Sequence, residues 1–235
     1  MSPDPPEDSP ERPAIRAGGP WGTEHPGPAD LEVSGSDAMV AAVVARGLVD
    51  PLVRFLPAPD SDLARAVGLV PGAATAGMAL PLDVLTVGTG DGAEPRLAVN
   101  SVVIGVPPDR LRLWHRPAGL TVEIDGKALD ASAATTLAVM NGQYLRGSDV
   151  SPRGHPGDGV AEAQLYALPP AARRAMRARL ATGAHLPHPA ITIRRAHTVV
   201  VTAPRPVDLE IDGHPAGRIS SLEVVVRPGV YRLLV

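Results

Sequence analysis

Between Leu82 and Val235 the sequence falls into short runs in which apolar and polar side chains alternate, separated by glycines, prolines and Asp-Gly pairs. A period of two is that of a half-buried strand, so most of the chain is committed to sheet. The spacing predicts strands over 82–87, 97–106, 111–114, 120–124, 136–140 and 160–168. Further strands follow over 191–193, 198–202, 207–211, 222–226 and 231–235. One helix interrupts them: Pro169-Pro170 opens it, Arg173 to Leu180 forms its body and Gly183 closes it. The string Glu-Ile-Asp-Gly occurs at 123–126 and again at 210–213. Each copy predicts a tight hairpin, because aspartate and glycine both tolerate positive φ.

Ahead of the sheet the period is helical. Asp37 to Leu48 sets Met39 over Val43 and Val40 over Val44, the i,i+4 pairing of a buried helical face. Ser34 or Ser36 can cap its start, and Gly47 lies near its end. A second, shorter helix runs from Ser61 to Val67, capped by Asp60 or Ser61 and stopped by Gly68. Between them Leu52, Val53, Phe55 and Leu56 read as a short buried strand running into Pro57. Residues 31–68 thus read as loop, helix, strand, loop, helix. Residues 1–30 hold eight prolines, four glycines and six acidic side chains, a mixture that cannot bury enough apolar surface to offset its ordering entropy. The expected fold is α+β: a disordered proline-rich tail over 1–30, a reduced α/β part over 31–98, and a larger antiparallel β-sandwich-like domain over 99–235.

Composition narrows the chemistry. With no cysteine, disulfides, zinc-thiolate sites and thiol nucleophiles are excluded, so a site must be built from oxygen and nitrogen groups. The net charge of −3 and an aromatic content of 3% argue against a nucleic-acid binder, which needs a basic surplus or stacking rings. The chain is 44% hydrophobic, yet no stretch approaches the roughly 20 apolar residues of a membrane helix. Its start has neither the basic nor the apolar region of a secretory signal, so the cytoplasm is the expected compartment.

Three loops could carry chemistry. Gly35-Ser36-Asp37 lies at a helix start, where exposed amides and the helix dipole favour an anion; the same residues also serve as plain caps. Asp60, Ser61 and Asp62 repeat this arrangement at the second helix. Asp158, between Gly157 and Gly159 at the head of a strand, could act as a general base or simply shape a turn. His185 and His188 are separated by Leu186-Pro187 with no acidic neighbour, which reads as a surface loop and leaves any metal ligand unassigned. Arg173, Arg174, Arg177 and Arg179 give their helix a basic side, read as a solvated face with at most peripheral membrane contact.

Taken in order, these motifs resemble the diacylglycerol kinase and sphingosine kinase family of lipid kinases, distantly related to NAD kinases. Gly35-Ser36-Asp37-Ala38-Met39 stands where that family has G-G-D-G-T, and Ala58-Pro59-Asp60-Ser61-Asp62-Leu63-Ala64-Arg65 where it has G-T-x-N-D-F-A-R. Leu82-Asp83 and Val99-Asn100 through Ile104-Gly105 resemble its next strands. Val139-Met140-Asn141-Gly142-Gln143-Tyr144 is similar to its v-a-N-g-x-y strand, and Asp158-Gly159-Val160-Ala161-Glu162 to its D-G-x-x-D/E element. Gly183-Ala184-His185, Val207 to Gly213 and Pro228-Gly229 follow in family order.

The resemblance implies transfer of the ATP γ-phosphate, with Mg2+, to a hydroxyl of a diacylglycerol-like lipid. It places Asp158 and Asp37 as catalytic groups and Gly35, Ser36, Ser61 and Asp62 at the nucleotide. The departures imply degraded activity, or a non-catalytic descendant that binds a lipid or partner. Ser36, Ala38 and Met39 replace two glycines and a threonine, Ala58-Pro59 replaces Gly-Thr, and the family's opening strand–helix–strand has no counterpart. Side chains where a phosphate needs bare backbone hinder its approach, so weak ATP binding is expected.

Overall fold

A computed structural model describes residues 22–24, 27–72, 77–90 and 92–235. Its elements in chain order begin with β1 (Thr23–Glu24), β2 (Leu31–Gly35), α1 (Asp37–Val44), β3 (Leu52–Pro57), α2 (Asp62–Val67), β4 (Met78–Thr89), β5 (Arg96–Ala98) and β6 (Ser101–Gly105). They continue with β7 (Thr121–Ile124), β8 (Lys127–Leu129), β9 (Thr136–Met140), β10 (Tyr144–Leu145), β11 (Ser148–Asp149) and β12 (Ala161–Tyr166). The last are α3 (Pro170–Leu180), β13 (Ile191–Ala196), β14 (Thr198–Ile211) and β15 (His214–Leu234).

The sheet is mostly antiparallel and runs β1-β4-β15-β14-β6-β9-β12-β13. Its organiser is β15. This strand of 21 residues pairs with β14 at one end, with β4 through its middle, and in parallel with β3 at its far end. β2 adds in parallel to β3, with Val33 opposite Phe55. One strand therefore belongs both to the βαβ unit around α1 and to the antiparallel body.

Among the described residues, three large apolar clusters and a small one around Leu52, Ala79 and Leu234 follow from this layout. Leu85, Val102, Leu137, Val199 and Val224 lie in the first, between the faces of the curled sheet. The second, with Val40, Phe55, Leu63, Leu82 and Tyr231, packs α1 and α2 onto the parallel edge. The third seats Met176 and Leu180 of α3 against Tyr166 and Met140. With a single phenylalanine in the chain, aliphatic side chains fill most of this volume.

Several expectations are corrected. Residues 31–35 are a strand, not a loop, because Leu31 and Val33 alternate with polar neighbours and lie against Val53 and Phe55. Residues 111–114 are not a strand: Pro107 and Pro108 start a 3-10 turn over Pro108–Arg110, and the chain stays irregular beyond it. The run over 97–106 breaks at Val99-Asn100 into β5 and β6. His185 is buried, stacked on Tyr166 at 6.4 Å between ring centres, so it is not a surface histidine. The proline-rich segment lies mostly outside the described residues; of its described part, Thr23 and Glu24 pair with Ala79 and Met78. Both Glu-Ile-Asp-Gly strings form the expected hairpins, with φ of 47° and 76° at Asp125-Gly126 and 46° and 77° at Asp212-Gly213.

Candidate active site

Parallel β2 and β3 deliver two loops to the same edge of the sheet, and the amide of Ala58 donates to the carbonyl of Gly35 at 2.8 Å to tie them together. Gly35 and Ser36 precede α1. Gly35 has a φ of 115°, and Met39 Cγ lies 3.6 Å from where a Cβ on it would sit. Ser36 occupies the cap position without a side-chain bond. Asp37 at the head of α1 reaches across to α2. Its Oδ1 accepts the Ser61 hydroxyl, and its Oδ2 accepts the amides of Asp62 and Leu63 at 3.2 and 3.0 Å. Ser61 Oγ in turn accepts the Ala64 amide at 3.0 Å. One carboxylate thus holds the starts of two helices together.

Asp62 continues the chain of contacts. Its oxygens accept the amide of Arg146 and, at 2.7 Å, that of Gly147 in the β10–β11 turn. The Arg146 guanidinium, half-buried, is shared between Asp109 and Glu210, and Arg110 lies 3.6 Å from Glu210. A cavity of about 620 Å³ adjoins this cluster, lined by Val106, Arg110, Arg112, His115, Glu210 and Arg218 among others.

The second Asp-Gly hairpin turns inward. Asp212 accepts the amides of Val99, Asn100 and Ser101, all near 3 Å, where β5 breaks into β6. Burial, against those three bonds, raises its pKa to about 6, and the charge of Asp37 adds to the rise. Asp83 accepts from Gly159 and Gly229, and burial likewise raises it to about 6. Burial also raises Asp37 and Asp62. Asp212, Asp37 and Asp83 all act on the buried Tyr231 hydroxyl, whose pKa is pushed well up, first by burial.

Beside these carboxylates sits a polar knot. Asn141 donates to the carbonyls of Asp83 and Val99, and Asn100 donates to that of Tyr144. Asn100 Oδ1, Asn141 Oδ1, Ser101 Oγ and the Tyr231 hydroxyl are buried without a hydrogen-bond partner among the described residues.

Of the residues singled out in the sequence, Asp37, Ser61 and Asp62 come together, with Gly35 and Ser36 at their edge. Asp158 does not join them. It is surface-facing, pairs with Arg195 at 3.0 Å, and its charged neighbours are Arg195 and His155 on its own side and Asp83 beyond. The loop 155–159 is drawn there by Asp83, which takes the Gly159 amide and gives its own amide to the Pro156 carbonyl. The sequence places Asp212 in a hairpin turn and in the family-like 207–213 segment without giving it a role; the tetrapeptide it shares with Asp125 gives no sign that one copy is buried and the other exposed.

Residues 109–235 match the family described as the YegS C-terminal NAD kinase beta sandwich-like domain. The chain belongs to the YegS and diacylglycerol kinase family. The fold agrees. A diacylglycerol kinase from Bacillus anthracis strain Sterne superposes with a TM-score of 0.69 at 18% identity, covering 87% of this chain and 76% of that one. Yeast NADH kinase, solved with NADH, superposes with a TM-score of 0.50 at 14% identity, over 87% of this chain and 62% of that one. No curated protein sequence matches the family member described here. No helix among its described residues is long and apolar enough to cross a membrane.

Proposed function

We propose that this family member transfers the γ-phosphate of ATP to a hydroxyl of a diacylglycerol-like lipid, slowly, at the edge where Asp37 and Asp62 join the two helix starts, with Asp212 as the base. The observation that carries the reading is the joining of the starts of α1 and α2 by Asp37, whose charge also acts on the buried Asp212, raised to about 6. A carboxylate in that range is mostly ionised near neutral pH and basic enough to take a hydroxyl proton.

The residues do not fit a magnesium ion held by the protein. No group of three or more His, Asp or Glu side chains among the described residues is placed for one, and both oxygens of Asp37 and Asp62 already accept hydrogen bonds. ATP enters as its magnesium complex, as substrate. Asp37 positions the two loops and Asp62 fixes the 146–147 turn against them. As the lipid oxygen bonds to the γ-phosphorus, the bond to the bridging oxygen of ADP breaks and the hydroxyl proton passes to Asp212. The cavity beside Arg146 and Glu210 offers room for part of the acceptor.

A second reading is favoured by Met39, whose Cγ lies 3.6 Å from where a Cβ on Gly35 would sit, beside the backbone a phosphate would need. On that reading the protein has kept the body and lost the transfer, and binds a lipid or partner. Magnesium-dependent ATP consumption across diacylglycerols, sphingoid bases and related alcohols tests the two. Consumption that depends on one lipid class supports transfer. Lipid binding without consumption supports the second reading.

A further inference from the structure

The loop after the 3-10 turn and helix α3 form a face whose Leu113, Trp114 and α3 side chains phosphoryl transfer does not use. Leu113 and Trp114 are 56% and 73% exposed there, side by side, although the chain has only two tryptophans. They are not loose. Arg173 of α3, 3% exposed, donates from Nη1 to the carbonyls of Arg112, Leu113 and His115 at 2.8, 3.3 and 2.7 Å. Its Nε donates to the carbonyl of Leu168 at 3.0 Å, and Leu111 is buried beneath. A buried guanidinium satisfied by four carbonyls and no carboxylate fixes the loop so that its two large apolar side chains point outward.

Charge completes the surface. No acidic residue occurs between Arg110 and Leu120 or within α3. Arg112, Arg116, Arg174, Arg177 and Arg179 pair with no carboxylate among the described residues. Arg112, Arg174 and Arg177 line a groove of about 260 Å³ together with Leu113, Trp114 and Ala171. This basic concentration sits on a chain whose net charge is −3, so it is local rather than a property of the whole surface.

We propose that this face docks on an anionic lipid bilayer, with Trp114 and Leu113 entering the headgroup region and the arginines facing lipid phosphates. Tryptophan favours the membrane–water interface, and arginine buries its stem while its head meets phosphate. Charge complementarity selects the occupant: unpaired arginines around an exposed aromatic fit a polyanionic, apolar-backed surface. Arg112 and His115 also line the larger cavity, so the bilayer would lie beside its mouth. The docking stands whether or not phosphate is transferred.

The test uses the full chain carrying Trp21→Phe, so that Trp114 is the only tryptophan. Vesicles of phosphatidylcholine alone are compared with vesicles containing roughly one-third phosphatidylglycerol. The protein should sediment with the anionic vesicles only, with Trp114 emission shifted to the blue and quenched by brominated acyl chains. Arg174→Gln and Arg177→Gln should each weaken binding about fivefold. Leu113→Ser should weaken it with circular dichroism unchanged. Absence of sedimentation by the folded protein, or sedimentation with Trp114 emission unmoved, would overturn the proposal. So would equal binding by a nucleic acid of matched charge that leaves the arginine substitutions decisive and Leu113→Ser silent.

Discussion

The two oxygens of Asp62 hold the consecutive amides of Arg146 and Gly147, 84 and 85 residues further along the chain. Arg146 sits at a φ of 48°, an uncommon conformation for a residue with a side chain, and this carboxylate steadies it from behind. Asp37 holds the start of α2 in the same way, so the edge of the βαβ unit is joined to the antiparallel body through two aspartates.

Replacing Asp62 with alanine therefore removes two buried acceptors at once. The expected loss is about 2–4 kcal/mol, since each unsatisfied buried amide costs about 1–3 kcal/mol and the turn is partly exposed. Denaturant unfolding measures it. Hydrogen exchange should show the Arg146 and Gly147 amides losing protection more than those of β14, which a general loosening would not produce.

Gly142 is predicted to resist even alanine. A Cβ there would stand 2.3 Å from Asn100 Oδ1, and Asn100 is fixed because it donates to Tyr144. Gly142→Ala should cost on the order of 1–3 kcal/mol. Adding Asn100→Ala removes the obstructing oxygen, so the double variant should lose less than the sum of the two single changes, as thermal or denaturant unfolding would show.

Asp83 gives a pH dependence of known sign. Its pKa is raised from 3.8 to about 6 in the folded protein, so between these values the folded state holds a proton that the unfolded state has lost. Its contribution is fully present below about pH 4 and is lost as pH rises through about 6. Asp83→Asn cannot titrate. Its destabilisation should be largest near pH 4 and smaller by on the order of 2 kcal/mol at pH 7. The histidines with lowered pKa, His115, His155 and His185, act in the opposite direction in both proteins and cancel in the comparison. Urea unfolding of the pair at several pH values reads this directly; a penalty that grows with pH would contradict it.

What the sequence made legible was whatever depends on neighbours along the chain. The alternation of Thr136–Met140, the Pro-Pro start of α3 and the positive-φ pairs Asp125-Gly126 and Asp212-Gly213 are local facts, and the structure repeats them. The loop read at residues 31–35 failed because five residues with two apolar side chains carry little signal without the parallel partner Val53–Phe55. That Asp37 and Asp62 lie at two helix starts was legible because cap chemistry and motif order both point to it. The burial of Asp212 was not legible, because it comes from a strand break more than a hundred residues earlier. Asp158 reads as exposed between two glycines, as it is; the ion pair with Arg195 and the pull of Asp83 on its loop are tertiary and leave no local signal.

The most direct measurement is transfer of label from γ-labelled ATP to a lipid alcohol by the parent protein and by Asp37→Asn, Asp158→Asn and Asp212→Asn, each checked for folding by circular dichroism. The account predicts slow, magnesium-dependent labelling by the parent and retention of most of it by Asp158→Asn. Asp212→Asn should lose about 10²–10⁴-fold, the range of a general base, together with the pH dependence near 6. Folded parent protein that labels no lipid, or activity that vanishes with Asp158→Asn and survives Asp212→Asn, would contradict it.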